Sequence, residues 1–340
     1  MIRTFVLPLV ACVAFMGADV AGAAPVSRDD PEGAESNQRT ISSAAGLAVV
    51  VTAHPLATVA AHTMLMKGGS AVDALVAAQS VLAVVEPQSS GLGGGGFLLH
   101  WKAQQRQLDV LDGREQAPSA SQPDDLLKPN GQPLPWREAT SQLRAIGIPG
   151  TVALLWDAHQ RWGRLPWTTT FQPAIKLARK GFRTTPRLLR SISLAQRIGT
   201  RHSPEFDQLY RPGGELPRLN EVFRNPALGD TLEQIARDGG SSFYDGALAA
   251  RILKGIAELG SKERAFQGWA AADLKHYTVI PRPPVCHPIQ RWPPCTLPPP
   301  SGGGLALLQP RALLEATGPP STPPRPPPTR RCASPPPRAA

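Results

Sequence analysis

Two short segments carry the residue types from which a binding site could be built. Residues 91–96, Gly-Leu-Gly-Gly-Gly-Gly, match the G-x-G-x-x-G dinucleotide fingerprint letter for letter. That fingerprint needs a strand before it and a helix after it, so that pyrophosphate meets a helix N-terminus. Here a predicted helix precedes the glycines and a predicted strand follows them, which argues against NAD or ATP. The glycines instead offer backbone that can approach a ligand or another chain segment closely.

The second segment is residues 112–115, Asp-Gly-Arg-Glu, at the end of a predicted strand. An arginine beside two carboxylates is commonly a surface ion pair that contributes little to stability. Alternatively, Arg114 presents its planar guanidinium to a substrate carboxylate as a bidentate clamp. Asp112 or Glu115 would then hold the guanidinium in place. The residues by themselves leave both explanations open.

The rest of the sequence gives little evidence for a catalytic nucleophile or for a metal site. The threonines at 168–170 lie between two prolines with no histidine nearby, and no G-x-S-x-G motif is present. The seven histidines are scattered singly, and His62, His159 and His276 fall in predicted helices, where a lone histidine is more often packed or solvated than catalytic. Without a Cys-x-x-Cys motif or a Cys/His cluster, we predict no metal site, no cofactor and no complete catalytic constellation.

The elements that must position these segments follow from hydrophobic periodicity and from Gly and Pro breaks. Residues 47–52 predict a buried strand, and 56–66 and 71–85 predict two helices, the second capped by Ser70 with Asp73 in capping-box position. Residues 97–101 and 108–112 predict a hairpin. Further helices are predicted at 151–162, 173–180, 186–198, 227–238, 246–259 and 270–276. The order indicates a layered α+β fold rather than regular βαβ alternation.

The N-terminus has the three-part layout of a secretory signal peptide. A short basic start leads into an apolar run over 4–17 and a small-x-small pattern at 21–23. We therefore predict a signal peptide over 1–23, a flexible leader over 24–45, and a periplasmic or secreted protein. The apolar run is too short to span a membrane, which takes about 20 residues. Lipoprotein processing at Cys12 is the alternative.

The net charge of +10 would suggest nucleic acid as a partner, but its distribution argues otherwise. The last 60 residues hold seven Arg, one Glu and 20 of the 38 prolines, so they carry +6 of the total. Because these arginines are interleaved with proline, we predict no nucleic-acid binding. In an oxidising compartment, Cys286 and Cys295 are close enough in sequence to staple a hairpin.

Taken together, the motifs resemble the γ-glutamyltransferase (glutathione hydrolase) family over residues 46–309. In the last of the matching segments, residues 298–304, the family usually has a second serine in place of Gly302. The matching segments, in chain order, are Lys67-Gly-Gly-Ser-Ala-Val-Asp-Ala74, Glu86-Pro-Gln-Ser-Ser-Gly-Leu-Gly-Gly-Gly-Gly-Phe97, Asp112-Gly-Arg-Glu115, Ala117-Pro118, Pro149-Gly-Thr-Val152, Gln172-Pro-Ala-Ile-Lys-Leu-Ala-Arg-Lys-Gly-Phe182, Asn225-Pro-Ala-Leu228, Thr231-Leu232, Phe243-Tyr244, Asp273-Leu274, Tyr277 and Pro298-Pro-Pro-Ser-Gly-Gly-Gly304.

The resemblance implies an αββα sandwich of the N-terminal nucleophile hydrolase type, made as an exported precursor that cuts itself into two subunits. The new N-terminal threonine of the small subunit attacks the γ-glutamyl bond of glutathione or another γ-glutamyl compound. The glutamyl group then passes to water, an amino acid or a peptide. A threonine hydroxyl needs a base, and the freed α-amine can serve. By the same resemblance, Arg114 grips the α-carboxylate of the glutamyl group.

This sequence departs from the family pattern because it lacks segments that the family has. All the matches belong to the large subunit, and the 340 residues contain no Thr-Thr-His nucleophile motif, so we expect this chain alone to be inactive. Residues 310–340 predict a disordered Pro/Arg-rich tail that resembles translation in a shifted frame, and Pro281 and later prolines indicate smaller disruptions. The alternatives are a non-catalytic glutamyl-binding scaffold and a cephalosporin-acylase-like amidohydrolase.

Overall fold

The computed structural model describes residues 48–197, 204–260, 266, 268–288 and 293–317. The predicted signal peptide, the leader, Cys12 and residues 318–340 lie outside the described residues. The helices are α1 (Pro55–Met66), α2 (Ala71–Val85), α3 (Pro87–Ser90), α4 (Trp136–Thr140), α5 (Thr151–Trp162), α6 (Trp167–Lys180), α7 (Pro186–Arg197), α8 (Pro204–Tyr210), α9 (Pro226–Asp238), α10 (Ala247–Gly260), α11 (Ala271–Lys275) and α12 (Gly302–Thr317). The strands are β1 (Gly96–Lys102), β2 (Gln107–Gly113), β3 (Phe182–Arg183), β4 (Val222–Phe223), β5 (Ile280–Arg282), β6 (Val285–Cys286) and β7 (Cys295–Thr296).

Helix α2 forms the centre of the core, as its Ala/Val-rich sequence predicts. Eleven of its 15 residues are buried, because α1 packs against it on one side and α6 on another, with α9 behind α6. The predicted capping box is confirmed: the Ser70 N–H donates to Asp73 Oδ2 at 2.6 Å, and the Asp73 N–H donates to Ser70 Oγ at 3.2 Å. Helix α2, which leads through the short α3 to the glycine loop, is therefore fixed both at its start and by the helices packed against it.

The predicted hairpin is confirmed as β1 and β2, paired antiparallel from Gly96 opposite Gly113. Strand β5 adds to β2 and completes a three-stranded sheet in the order β1-β2-β5. Helix α5 packs against β1 and β2. Alternate residues of β1 point to the opposite face of the sheet, away from α5. On that face the side chains of Leu99 and Trp101 are exposed, Trp101 by 56%. Within the described residues this second face is thus open at its β1 edge, where Leu99 and Trp101 lie, and covered at Val110, which pairs with Leu99 and is buried.

The predicted buried strand at 47–52 is wrong. Residues 48–52 form no strand, and Val51 is 87% exposed. A strand needs backbone hydrogen bonds to a neighbour. No strand of the described part of the chain lies beside this segment to supply them.

The threonines at 168–170 are helical rather than irregular, because α6 begins at Trp167, six residues earlier than predicted. Pro173 lies inside this helix and leaves one backbone carbonyl without its helical donor. Trp167 and Phe171 are both buried in the core, and this burial outweighs the lost hydrogen bond. The other predicted helices begin and end close to their predicted residues, whereas α12 corresponds to no predicted helix.

The C-terminal third differs from its prediction in two respects. Pro281 lies in β5 opposite Leu111, and β5 is an edge strand in the described sheet, where proline is tolerated. Helix α12 runs past the expected boundary at 309 to Thr317, so residues 310–317 are helical, not disordered. Between them, Cys286 and Cys295, which the sequence showed only to be close enough to pair, form a disulfide with a Cα–Cα distance of 4.0 Å across the hairpin β6–β7.

No helix in the described ranges is both long enough and apolar enough to cross a lipid bilayer.

Candidate active-site cleft

The glycine loop after α3 is packed against two other segments. The Gly94 carbonyl accepts hydrogen bonds from the N–H groups of Gly150 and Thr151, at 2.9 and 3.0 Å. A Cβ added to Gly95 would lie 2.6 Å from the Gly113 carbonyl oxygen and 2.7 Å from the Glu115 nitrogen. The loop thus joins the end of β2 to the start of α5, which confirms the close approach predicted from its glycines.

Substitution of Gly95 by alanine is expected to lower the free energy of unfolding by about 1–3 kcal/mol, because the new Cβ forces backbone apart at the strand end. Gly93→Ala is the matched control, since nothing lies within 4 Å of its added Cβ, and it should change stability by less than about 0.5 kcal/mol. Urea unfolding followed by circular dichroism measures both. Equal losses in the two variants would show that the loop is not held by close packing.

A cleft of about 540 Å³ opens along the glycine loop. Leu75 and Gln79 of α2 form one wall, and Thr151 and Leu154 of α5 form another. Glu115 also lines the cleft and brings a carboxylate to it. In this setting a short helix precedes the glycines and a strand follows them, which is the reverse of the dinucleotide arrangement. Among the described residues, no cluster of His, Cys, Asp and Glu could hold a metal ion.

Arg114 lies at the end of β2 with its side chain 57% exposed. Its Nε is 3.1 Å from Glu115 Oε2, so the carboxylate that lines the cleft orients the guanidinium. Within the described part of the chain, Nη1 and Nη2 have no hydrogen-bond acceptor. These two nitrogens form the half of the guanidinium fork that can bind a carboxylate with two parallel hydrogen bonds.

Asp112 does not hold the Arg114 side chain. It is only 4% exposed, and its Oδ1 accepts from the backbone N–H of Arg114 at 2.9 Å. Its Oδ2 accepts from Arg282 Nε of β5 at 2.6 Å. Of the two predicted partners, Glu115 therefore orients the guanidinium, whereas Asp112 fixes the backbone from which it extends.

Two stacked tyrosines lie behind the Arg114 backbone. The Tyr277 hydroxyl donates to the Arg114 carbonyl at 2.8 Å, and the ring of Tyr277 stacks on that of Tyr244 with centroids 5.4 Å apart. The Tyr244 hydroxyl donates to the Pro149 carbonyl and accepts from the Ala153 N–H, at 2.9 and 3.0 Å. Burial raises the pKa of Tyr277 well above its usual range, and the nearby carboxylates raise it further, so its hydroxyl remains a donor.

Glu86, at the junction of α2 and α3, is a second buried carboxylate, 2% exposed. Arg187 of α7 contacts it through Nε at 2.7 Å and also reaches Ser89 Oγ through Nη2 at 3.3 Å. Because Ser89 lines the cleft, this ion pair ties the cleft wall to α7. Removing the arginine would leave the buried carboxylate without its charged partner.

Sequence reasoning placed Arg114 and Glu115 in the site but assigned no role to Tyr277, Tyr244 or Arg282. The two tyrosines belong to segments that match the family, and this match is the signal in the sequence that could have pointed to a role for them. Arg282 lies in a proline-rich stretch that, from the sequence alone, is interpreted as a disruption of the family pattern. The three histidines predicted to be non-catalytic take no part in the cleft: His62 and His159 lie in α1 and α5, and His276 follows α11 directly.

Solved structures define the class of protein to which this fold belongs. The γ-glutamyltranspeptidase of Helicobacter pylori matches with a TM-score of 0.74 and 29% identity, covering 81% of this chain and 76% of that one. The γ-glutamyltranspeptidase from Pseudomonas nitroreducens matches with a TM-score of 0.70 and 33% identity, covering 79% and 76%. The chain thus has the mixed α+β fold of the N-terminal nucleophile hydrolase type.

Sequence comparison identifies the family. A profile described as gamma-glutamyltranspeptidase matches residues 57–323, and the chain belongs to this family. The glutathione hydrolase proenzyme of Bacillus subtilis (strain 168) is 33% identical over 251 residues, which are 74% of this chain and 41% of that protein. Glutathione hydrolase 5 proenzyme of Rattus norvegicus is 36% identical over 201 residues, 59% and 34% of the two chains. The chain therefore spans about two fifths of the length of the first of these relatives.

Proposed function

We propose that this chain is the γ-glutamyl-binding, large-subunit portion of a γ-glutamyltransferase that acts on glutathione and related γ-glutamyl compounds. The observation that carries the proposal is the exposed guanidinium of Arg114, oriented by Glu115 beside the glycine-loop cleft. A ligand carboxylate on Nη1 and Nη2 would receive two charge-assisted hydrogen bonds, the strong and directional kind. The α-carboxylate of a γ-glutamyl group is such a ligand.

Catalysis in this proposal needs a nucleophile from a small subunit, whose N-terminal threonine would transfer the glutamyl group to water, an amino acid or a peptide. Two apolar surfaces of the described chain suit such a partner: the exposed β1 edge of the sheet, with Leu99 and Trp101, and the segment with Val49 and Val51. Exposed apolar patches of this kind mark interaction surfaces. The 340 residues alone are then expected to bind γ-glutamyl compounds without hydrolysing them.

The cellular setting is part of the same proposal. The signal-peptide layout of residues 1–23 supports export to the periplasm or beyond, and the Cys286–Cys295 disulfide suits an oxidising compartment. Production as a self-cleaving zymogen would follow from the family's precursor organisation.

A cephalosporin-acylase-like amidohydrolase is the second candidate. The cephalosporin acylase from Bacillus halodurans matches with a TM-score of 0.63 and 29% identity, covering 72% of this chain and 45% of that one. The pairing of Arg114 with Glu115 beside the cleft favours a glutamyl carboxylate as the ligand.

The test compares L-glutamate with its α-amide as ligands of the 340-residue chain, by isothermal titration or NMR titration. We expect L-glutamate to bind at least about tenfold more tightly, because the amide loses the charge that strengthens both hydrogen bonds. Glutathione incubated with the same chain should release no glutamate. Equal affinity for the two ligands would remove the basis for a carboxylate-binding Arg114 and would favour a different amide substrate.

A further inference from the structure

One distant segment, residues 277–282, supports both backbone polar groups of Arg114: it contacts the carbonyl directly, and it reaches the N–H through Asp112. The geometry points to Tyr277 and Arg282 as positioning residues for Arg114: together they fix the backbone from which the guanidinium reaches a γ-glutamyl carboxylate. This inference rests on the proposed function and adds to it the residues that set the geometry of the site.

The carbonyl side is held directly. The Tyr277 hydroxyl donates to the Arg114 oxygen at 2.8 Å, and the tyrosine side chain is buried. Tyr277 is itself confined by the stacked ring of Tyr244 on one side. Close to its hydroxyl lies Gly150, where an added Cβ would come within 2.1 Å of the Tyr277 oxygen. The donor has little room to move.

The N–H side is held through a carboxylate. The Arg114 nitrogen donates to Asp112 Oδ1 at 2.9 Å, while Arg282 Nε donates to Oδ2 of the same group at 2.6 Å. Because Asp112 is buried, the charge of Arg282 compensates a carboxylate that would otherwise be costly to bury. Strand pairing of Asp112 with Ile280 keeps Arg282 in register with it.

Fixing the backbone matters because Arg114 is otherwise exposed, with Glu115 as its side-chain partner in the described ranges. A binding group must be held within about 0.5 Å of its productive position, and that precision comes from supporting residues that touch no ligand. Tyr277 and Arg282 lie more than 160 positions from Arg114 along the chain. The hairpin β6–β7, which carries the disulfide, begins three residues after Arg282.

The experiment is a double-mutant cycle on the 340-residue chain, with the dissociation constant for L-glutamate measured by NMR titration. The variants are Tyr277→Phe, Arg114→Ala and both together. Tyr210→Phe is the matched control, since Tyr210 is half-buried and stacks on Phe223 away from the cleft. The expected results are about fivefold weaker binding in Tyr277→Phe and no further loss when this change is added to Arg114→Ala. Tyr210→Phe should bind like the unmodified chain.

The possible outcomes distinguish an error in the proposed function from an error in the inference about Tyr277. If the unmodified chain does not bind L-glutamate, or Arg114→Ala binds as tightly as the unmodified chain, the proposed function is wrong and the inference falls with it. If Arg114→Ala weakens binding but Tyr277→Phe does not, or if the two losses add fully, Tyr277 does not act through Arg114 and the inference alone is wrong. Should Tyr277→Phe fail to fold, Arg282→Lys replaces it in the same cycle, with the same expectation.

Discussion

Replacing Asp73 with alanine is expected to lower the free energy of unfolding by about 3–5 kcal/mol, more than any other single truncation discussed above. Asp73 is completely buried, and besides closing the capping box of α2 it accepts from the backbone N–H groups of Arg164 and Leu165, at 3.0 and 3.3 Å to Oδ2. His159 Nε2 lies 3.3 Å from its Oδ1. The alanine variant would leave the N–H groups of Arg164 and Leu165 without this acceptor, whereas His159 Nε2 would keep the Leu165 carbonyl at 3.0 Å.

Urea unfolding of Asp73→Ala measures this loss, with Asp157→Ala as the matched control. Asp157 carries an exposed ion pair with Arg161 on the surface of α5, at 2.8 Å, and such pairs contribute at most about 1 kcal/mol. If both variants lost the same small amount, Asp73 would be no more than a helix cap, and the connection from α2 to the loop after α5 would not stabilise the fold.

Local patterns in the sequence predicted local structure well. The Ser70 and Asp73 spacing is a relation between residues three apart, and it reappears as two hydrogen bonds. The hairpin β1–β2 likewise follows from alternation on both sides of a short polar turn. The glycine loop could be judged from its neighbours, because a preceding helix and a following strand are visible in the sequence.

Relations between distant segments could not be predicted. Nothing near Asp73 shows that residues 164 and 165 donate to it, and nothing near Arg114 shows that Tyr277 and Arg282 hold its backbone. The same limit explains the error at residues 47–52, where an apolar run predicts a strand but cannot supply its neighbour. In α6 the burial of Trp167 and Phe171 overrides a proline that local rules place at a helix boundary.

The central claim is that Arg114 binds the α-carboxylate of γ-glutamyl compounds, and its most direct test is the affinity of the 340-residue chain for glutathione with and without this side chain. We expect Arg114→Ala to weaken binding by about 10–100-fold, because it removes two charge-assisted hydrogen bonds. Arg114→Lys keeps the charge but loses the planar fork, so its affinity for glutathione should lie between those of the unmodified chain and Arg114→Ala. Arg161→Ala, which removes an exposed arginine paired with a carboxylate elsewhere, is the matched control.

Isothermal titration of the four proteins with glutathione gives the answer in one set of measurements. The account predicts the order of affinity unmodified chain, Arg114→Lys, Arg114→Ala, with Arg161→Ala equal to the unmodified chain. An Arg114→Ala variant that binds glutathione as tightly as the unmodified chain would contradict it.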